Sequence, residues 1–211
     1  MPAKWRVARL GDVADISTGS TPPTARKDYY SGTVPFIRTS EIANCRISRA
    51  NLHVSQQAVS ECHLKLYPPG SVFLAMYGQG KTRGQVALLD VSAATTQNTA
   101  AIVPRSGFHA DYLWQYLMSK YQVLRGEGHQ GHISHLNLGY VSQLRIVAPP
   151  PCEQVAIAMP LSVLDRKLDA EQHRLDALDA LFRTLLDGLM TGKIRVADAR
   201  LSEEVTTIAA R

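Results

Sequence analysis

The sequence predicts an α+β fold: a small domain on a mixed or antiparallel sheet over residues 1–150, then a long coiled-coil α-helix. Three observations predict it. Short apolar runs punctuated by glycine and proline fill the first 150 residues. Three prolines, Pro149-Pro150-Pro151, close that region. Beyond them, apolar residues recur on alternating steps of three and four, the period of a helix that pairs along a seam.

Taken in order, Val34-Pro35-Phe36-Ile37-Arg38 reads as a strand, led by β-formers and flanked by turn residues. Ser71-Val72-Phe73-Leu74-Ala75-Met76-Tyr77 follows the Pro68-Pro69-Gly70 turn and is a stronger one. After the Gly78–Gly84 loop come Gln85-Val86-Ala87-Leu88-Leu89 and then Thr99-Ala100-Ala101-Ile102-Val103. Strands at such intervals with glycine between them predict a small twisted antiparallel sheet. From Asp111 to Leu124 the residues Leu113, Tyr116, Leu117, Lys120, Tyr121 and Leu124 form a helical stripe. Leu144-Arg145-Ile146-Val147 alternates like a last strand, and the prolines are expected to end the domain, since three in a row favour neither helix nor ladder.

The second segment is read as a helix over 153–192, its main run starting at Pro160, where a first turn tolerates proline. Leu161, Leu164, Leu168, Leu175, Leu178, Phe182, Leu185 and Leu189 make the seam, and Glu171 stands where the next apolar residue belongs. Residues 161–190 would span about 45 Å at ~1.5 Å per residue. Such a rod outruns a compact domain, so the seam is expected to pair with a helix of another copy; the alternative is a helix folded back on its own domain. A polar residue in a seam can set register or orientation. Gly192 closes the helix, and 193–211 reads as a loosely ordered tail.

The 211 residues carry 23 Lys+Arg and 18 Asp+Glu, but unevenly. Residues 1–150 hold 15 cations and 8 anions, a net of +7, whereas 151–211 hold 8 and 10, a net of −2. A basic body suits a polyanion, and the near-neutral remainder suits something else; a basic domain that binds nothing is the plain alternative. The length allows one domain plus an extension, too little for a multi-domain catalytic assembly. Apolar runs such as Val155-Ala156-Ile157-Ala158-Met159 are far too short to cross a bilayer. With no signal-like start, a cytoplasmic protein without membrane contact is expected. Cys45, Cys62 and Cys152 have no paired spacing and read as reduced packing residues.

Motifs for catalysis fail on inspection. Gly78-Gln79-Gly80-Lys81-Thr82 ends like a phosphate-binding loop, but the required earlier glycine is Ala75, and a strand pattern follows instead of a helix. Pro149-Pro150-Pro151 lacks the acidic or amide residue and the aromatic that amino-methyltransferases place around a proline pair. No Gly-x-Gly fingerprint follows a strand and opens a helix, so no cofactor site is expected. His129, His132 and His135 recur every three residues, but among glycines and beside Glu127 alone. A loop that approaches phosphate or a base edge fits them better than a metal site.

Three basic, polar loops carry the functional expectation. The first, Thr18 to Tyr30, offers Thr21, Arg26, Lys27 and Tyr29; the second, Arg38-Thr39-Ser40, ends a strand with Arg38; the third, Tyr77 to Gln85, offers Lys81 and Arg83. Together with His129, Gln130 and His132 these are the candidate DNA contacts. Arg and Lys can fork onto guanine and Gln onto adenine, while hydroxyls and glycine amides hold phosphates.

With those residues in view, the chain resembles one half of a type I restriction–modification specificity subunit, over about residues 5 to 196. Trp5-Arg6-Val7-Ala8-Arg9-Leu10-Gly11-Asp12-Val13, Thr18-Gly19-Ser20-Thr21-Pro22, Val34-Pro35-Phe36-Ile37-Arg38, Leu66-Tyr67-Pro68-Pro69-Gly70-Ser71-Val72 and Ala94-Thr95-Thr96-Gln97-Asn98 carry the likeness. Its most specific stretch runs from Ile146 through Pro149-Pro150-Pro151-Cys152-Glu153-Gln154 to Ala158, and it ends at Leu189-Met190-Thr191-Gly192-Lys193-Ile194-Arg195. The resemblance implies a target recognition domain (1–150) and a conserved spacer helix (153–192). It further implies no catalysis by the chain itself, and docking to methyltransferase (modification) subunits that bind S-adenosylmethionine. In the full enzyme a restriction subunit joins. The family's subunit usually carries two such units with antiparallel helices, each reading half of a split DNA site. One unit per chain leads to the expectation of a homodimer reading a split palindrome on double-stranded DNA. The alternative is a non-catalytic adaptor or orphan protein that binds DNA unselectively or meets an acidic protein.

Overall fold

The apolar runs expected as strands form the centre of the structure, a computed structural model that describes residues 2, 4–78, 80–126 and 136–195. The chain divides into two units, Met1–Leu161 and Ser162–Arg211.

The first unit opens with β1 (Arg6–Arg9), one turn of helix α1 (Leu10–Val13) and β2 (Ala14–Thr18). After a loop come β3 (Val34–Ile37), β4 (Cys45–Ile47), β5 (Leu52–Val54) and α2 (Gln56–Glu61). Then follow β6 (Val72–Ala75), β7 (Val86–Leu89), β8 (Ala94–Thr95) and β9 (Thr99–Pro104). Helices α3 (Ala110–Ser119), α4 (Tyr121–Gly126) and α5 (Leu138–Gln143) precede β10 (Arg145–Ala148) and the long α6 (Pro151–Met190).

The main sheet has the order β2-β9-β6-β7-β4, antiparallel except for the parallel β4–β7 pair. A second sheet, β5-β3-β8, joins β3 to β8 in parallel, and β1 pairs with β10 as a separate ribbon. The sheet is thus mixed, with the expected antiparallel strands at its heart.

β6 and β7 are buried on both faces. Alternation sends Val72, Leu74, Val86 and Leu88 to one side, where they pack with Leu113, Trp114 and Leu117 of α3. Phe73, Ala75, Ala87 and Leu89 go to the other side, against Tyr67, Ile37, Ile42 and Ile47. Full burial of each large apolar side chain is worth about 1.5–3 kcal/mol, so this two-sided layer is the core.

Two expectations are corrected. The helix expected from Asp111 to Leu124 breaks at Lys120, between α3 and α4. Ser119 Oγ donates to the Tyr116 carbonyl at 2.7 Å, a local bond that competes with the helix ladder. The long helix starts at Pro151, not at Pro160, and the proline run does not stop it. Pro151 takes the first helical position, where its missing N–H costs nothing, and the Pro150 carbonyl accepts from Glu153 N at 2.9 Å and Gln154 N at 3.0 Å. Pro160 therefore lies inside α6 and leaves the Ala156 carbonyl without its ladder donor.

The first turns of α6 are stitched to the body. Trp5 Nε1 donates to Glu153 Oε2 at 2.6 Å. Buried Gln154 accepts from His109 N at 2.8 Å and donates to the Pro149 carbonyl at 2.9 Å. Hence the first unit extends to Leu161. In the second unit, α6 ends in a turn where Gly192 adopts φ +70° and Ile194 N returns to the Gly188 carbonyl at 2.9 Å. Ile194 packs so close to Gly188 that a β-carbon there would lie 2.7 Å from Ile194 Cδ1. The tail expectation beyond 195 lies outside the described residues.

Candidate nucleic-acid interface

Strand register brings the predicted loops to one end of the sheets. Thr18, the last residue of β2, pairs with Ala100, and Thr99, the first of β9, pairs with Ala75, the last of β6. Leu74 pairs with Val86, the first residue of β7, and Cys45, the first of β4, pairs with Ala87. In the second sheet, Ile37 and Thr95 pair at the ends of β3 and β8. The loops 38–44, 76–85 and 96–98 therefore leave from the same edge, as does the start of loop 19–33, which returns to Val34 at the opposite end of β3.

Hydrogen bonds knit these loops together. Thr21 Oγ1 meets Gln97 Oε1 at 2.5 Å, joining the first loop to the β8–β9 turn. Thr39 Oγ1 lies 2.9 Å from Thr96 Oγ1 and 3.3 Å from Thr99 Oγ1, joining the Arg38 turn to that same turn. Met76 N donates to the Asn98 carbonyl at 3.0 Å, which brings in the β6–β7 loop. The result is a polar surface of hydroxyls, amides and cations supported by an apolar two-sided core.

The first loop is pinned along its length. Tyr67 OH donates to the Thr18 carbonyl at 2.8 Å, and Tyr30 OH to the Pro22 carbonyl at 2.7 Å. Arg26 pairs with Asp28 at 2.6 Å and stacks over the Tyr29 ring, 4.2 Å from its centroid. Hydrogen bonding to Arg26 holds the Asp28 carboxyl below its ordinary range. Tyr29 OH donates to Glu61, and that bond raises the tyrosine hydroxyl and lowers the carboxyl.

The expected contacts sort by exposure. Thr21, Arg26, Lys27, Arg38 and Lys81 are all exposed; Thr21, Arg38 and Lys81 belong to this edge, whereas Arg26 and Lys27 lie beside Tyr29, whose carbonyl accepts from Ser55 N at 2.8 Å next to the Val34–Val54 end of β3 and β5. Arg38 keeps Glu41 Oε1 3.6 Å from its Nε. Tyr29 and Arg83, in contrast, are 5% and 8% exposed. Tyr29 is a packing residue under Arg26, and Arg83 Nη2 donates to the Arg125 carbonyl at 2.8 Å. His129, Gln130 and His132, like His135 and the metal alternative it belongs to, lie outside the described residues. Their flanks are tied to the same edge: Arg125 by Arg83, and Leu136 through its N–H to the Met76 carbonyl at 3.1 Å.

Gln97 and the Thr39–Thr96–Thr99 hydroxyls join the edge without having been expected as contacts. The signal is present in Thr95-Thr96-Gln97-Asn98-Thr99, a polar run too short to be anything but a turn between strands. Among the described residues, no group of three or more His, Cys, Asp or Glu side chains could hold a metal ion. No helix among them is long and apolar enough to cross a membrane.

The sequence matches the family model described as the type I restriction modification DNA specificity domain over residues 2–180. The chain belongs to this specificity family. Among its relatives is the specificity subunit of the type I restriction enzyme MjaIX of Methanocaldococcus jannaschii, 27% identical over 186 residues, or 86% of this chain and 42% of the relative. The specificity subunit of HindI from Haemophilus influenzae is 25% identical over 154 residues, covering 71% and 33% of the two chains. The fold is shared with the specificity-subunit structure from M. genitalium, with a TM-score of 0.68, 13% identity, and coverage of 87% of this chain and 45% of that one. It is shared also with the HsdS subunit of Thermoanaerobacter tengcongensis, with a TM-score of 0.61, 21% identity, and coverage of 89% and 45%. The specificity-family chain described here spans less than half the length of these relatives.

Proposed function

We propose that the chain recognises double-stranded DNA for a type I restriction–modification system, reading sequence with the loop edge and pairing through α6. The convergence of four polar loops on one edge of a body with a net charge of +7 carries this reading. Phosphate contacts would supply most of the affinity, from Lys27 and Lys81, which have no ion pair among the described residues, and from backbone amides of the glycine loops. Arg38, Gln97 and Thr21 have the chemistry to touch base edges. Arg26 would do so only by leaving Asp28. Tyr29 and Arg83 position their neighbours.

The remainder of α6 is the pairing element. Leu164, Leu168, Leu175, Leu178, Phe182, Leu185 and Leu189 are 38–72% exposed, and Leu161, at the end of the first unit, is 42% exposed. A stripe that apolar is costly in water and is covered, in this reading, by a second copy. The resulting two-fold dimer would place two identical loop edges on one duplex and read a split palindrome. Methyltransferase subunits carrying S-adenosylmethionine would dock on this dimer, with a restriction subunit in the full enzyme. The chain itself performs no chemistry in this scheme and works in the cytoplasm.

Selection of the purified chain against a pool of random duplexes tests the reading. Enrichment of a split palindrome is expected, with an affinity that falls steeply as salt rises. Flat, unselective binding would support the adaptor alternative instead, and an asymmetric motif would remove the homodimer.

A further inference from the structure

The loop that carries Lys81 is fastened from outside the sheet. Gly78, Gly80 and Gly84 hold φ values of +137°, +70° and +85°, and glycine loses more backbone freedom on ordering than any other residue. A loop built this way does not keep its own shape. Its base is tied by the bond from Gly84 N to the Ala75 carbonyl and by a close approach to α4. A β-carbon at Gly84 would lie 3.2 Å from Leu124 Cβ and 3.3 Å from Arg125 N. The tip is open: a β-carbon at Gly80 would meet nothing within 4 Å among the described residues.

Lys81 stands in that tip, and Tyr121, the first residue of α4, reaches it. The Tyr121 hydroxyl donates to the Lys81 carbonyl at 2.7 Å. Tyr121 and Arg125 are four residues apart on α4 and so share a face. Arg125 Nη1 donates to the same hydroxyl at 2.8 Å, with the guanidinium 6.0 Å from the ring centroid. A guanidinium only donates, and a tyrosine hydroxyl has one proton. With Arg125 on one of its lone pairs, the hydroxyl keeps that proton for the Lys81 carbonyl. The two bonds thus run in one direction, from Arg125 through Tyr121 to Lys81, and each polarises the other. At the base, the Arg125 carbonyl accepts from Arg83 Nη2 at 2.8 Å, so helix and loop hold each other at two points.

We infer that Tyr121 is a positioning residue for DNA binding: its hydroxyl fixes the Lys81 backbone, so that the ammonium is placed before a phosphate arrives. This role rests on the proposed function, in which Lys81 meets phosphate, and Tyr121 acts through Lys81 without touching DNA. A hydrogen bond of this kind is worth about two- to tenfold in the ratio of held to free loop. Without it the duplex has to order the tip on binding, and affinity falls by the same factor. The ring of Tyr121 belongs to the helical stripe expected from Asp111 to Leu124, whereas its hydroxyl serves the loop edge.

A double-mutant cycle on the full chain, read by fluorescence anisotropy with the selected duplex, tests this. Tyr121→Phe keeps the ring and removes only the hydroxyl, and it should weaken binding about fivefold. In the Lys81→Ala background the same change should cost less than about twofold, because no ammonium remains to be placed. A merely structural loss would cost the same factor in both backgrounds. Hydrogen exchange of the free chain reads the clamp without DNA: amides of residues 80–85 should exchange about fivefold faster in Tyr121→Phe. Equal losses with and without Lys81, unchanged affinity in Tyr121→Phe, or unchanged exchange would each overturn the inference. A parent chain that binds while Lys81→Ala changes nothing would overturn it too, yet leave DNA recognition standing. A parent chain that binds no duplex would remove the proposed function itself, and this role with it.

Discussion

Gly19 sits at the root of the first loop, immediately after β2, and its substitution by alanine puts the loop edge to a direct test. A β-carbon at Gly19 would lie 1.8 Å from the Thr95 carbonyl oxygen, 2.5 Å from its carbon and 2.9 Å from Thr95 Cγ2. Ordinary contact begins near 3.4 Å, so the two segments must part by roughly 1.5 Å. Thr95 cannot yield. It is fully buried, its Oγ1 donates to the Ile37 carbonyl at 2.9 Å, and it is held in register with Ile37. The loop has to move instead, carrying Thr21 away from Gln97. Overpacking of this kind costs about 1–3 kcal/mol, a fall in melting temperature of roughly 2–10 °C for a chain of this size. The cations stay on the loop, so affinity for a scrambled duplex should change little, while affinity for the selected duplex falls about tenfold or more. Thermal denaturation and fluorescence anisotropy with both duplexes read the two effects. Gly80→Ala is the control: nothing lies within 4 Å of its β-carbon, and only the φ of +70° opposes it, at about 1–2 kcal/mol. A Gly19→Ala protein that melts with the parent and retains its preference for the selected duplex would refute the close approach and the role assigned to it.

Three further outcomes are expected. Lys81→Ala should weaken binding to all duplexes alike and reduce the slope of log affinity against log salt by about 0.9; an unchanged slope would show that Lys81 meets no phosphate. Leu175→Pro breaks α6 in mid-seam and should sediment as a monomer, and a dimer would mean that the seam is misassigned. Tyr112 OH donates to the Val147 carbonyl at 2.9 Å, and burial pushes the hydroxyl up to about 12. Because the folded value lies above the unfolded value near 10, its contribution is complete below pH 10 and disappears as pH rises toward 12. Tyr112→Phe should flatten the loss of stability across that window, as measured by denaturant titration at stepped pH.

The parts of the fold legible in sequence are those whose burial writes a simple pattern. β6, β7 and β9 are apolar runs between turn residues because both their faces are covered, and the α6 seam keeps its period because one stripe is apolar. β1 is not legible: Arg6-Val7-Ala8-Arg9 forms a half-exposed ribbon with β10 alone, so no apolar run marks it. β4, β5 and β8 are two or three residues long, and their pairings are formed over long separations that leave no local signature. The helix start is misplaced in sequence because a proline run reads as a stop until the carbonyl of Pro150 is seen to cap the next turn. In the loop edge, residue chemistry locates the polar segments but does not rank them by exposure. Tyr29 and Arg83 have the side chains of DNA contacts yet lie beneath the surface, whereas Gln97 reaches it from a turn that composition alone does not distinguish.

The two-sided burial of β6 and β7 has a consequence for how this edge can change. Where one face of a strand is wet, a slip of one residue is penalised at once, because apolar groups emerge into solvent. Here both faces are dry and apolar, so that safeguard is weak and alignment depends on the strand ends. Ala75 N donates to the Gln85 carbonyl and Gly84 N to the Ala75 carbonyl, each at 2.9 Å, at one end; Gly70 N donates to the Leu89 carbonyl at 2.8 Å at the other. In the proposed function, the loop between them would be both reading surface and clasp. Under that function its lettering would be free to drift toward new targets while its length would not: an exchange within Gly78–Gly84 would alter what is read, and a deletion there would misalign the core beneath it.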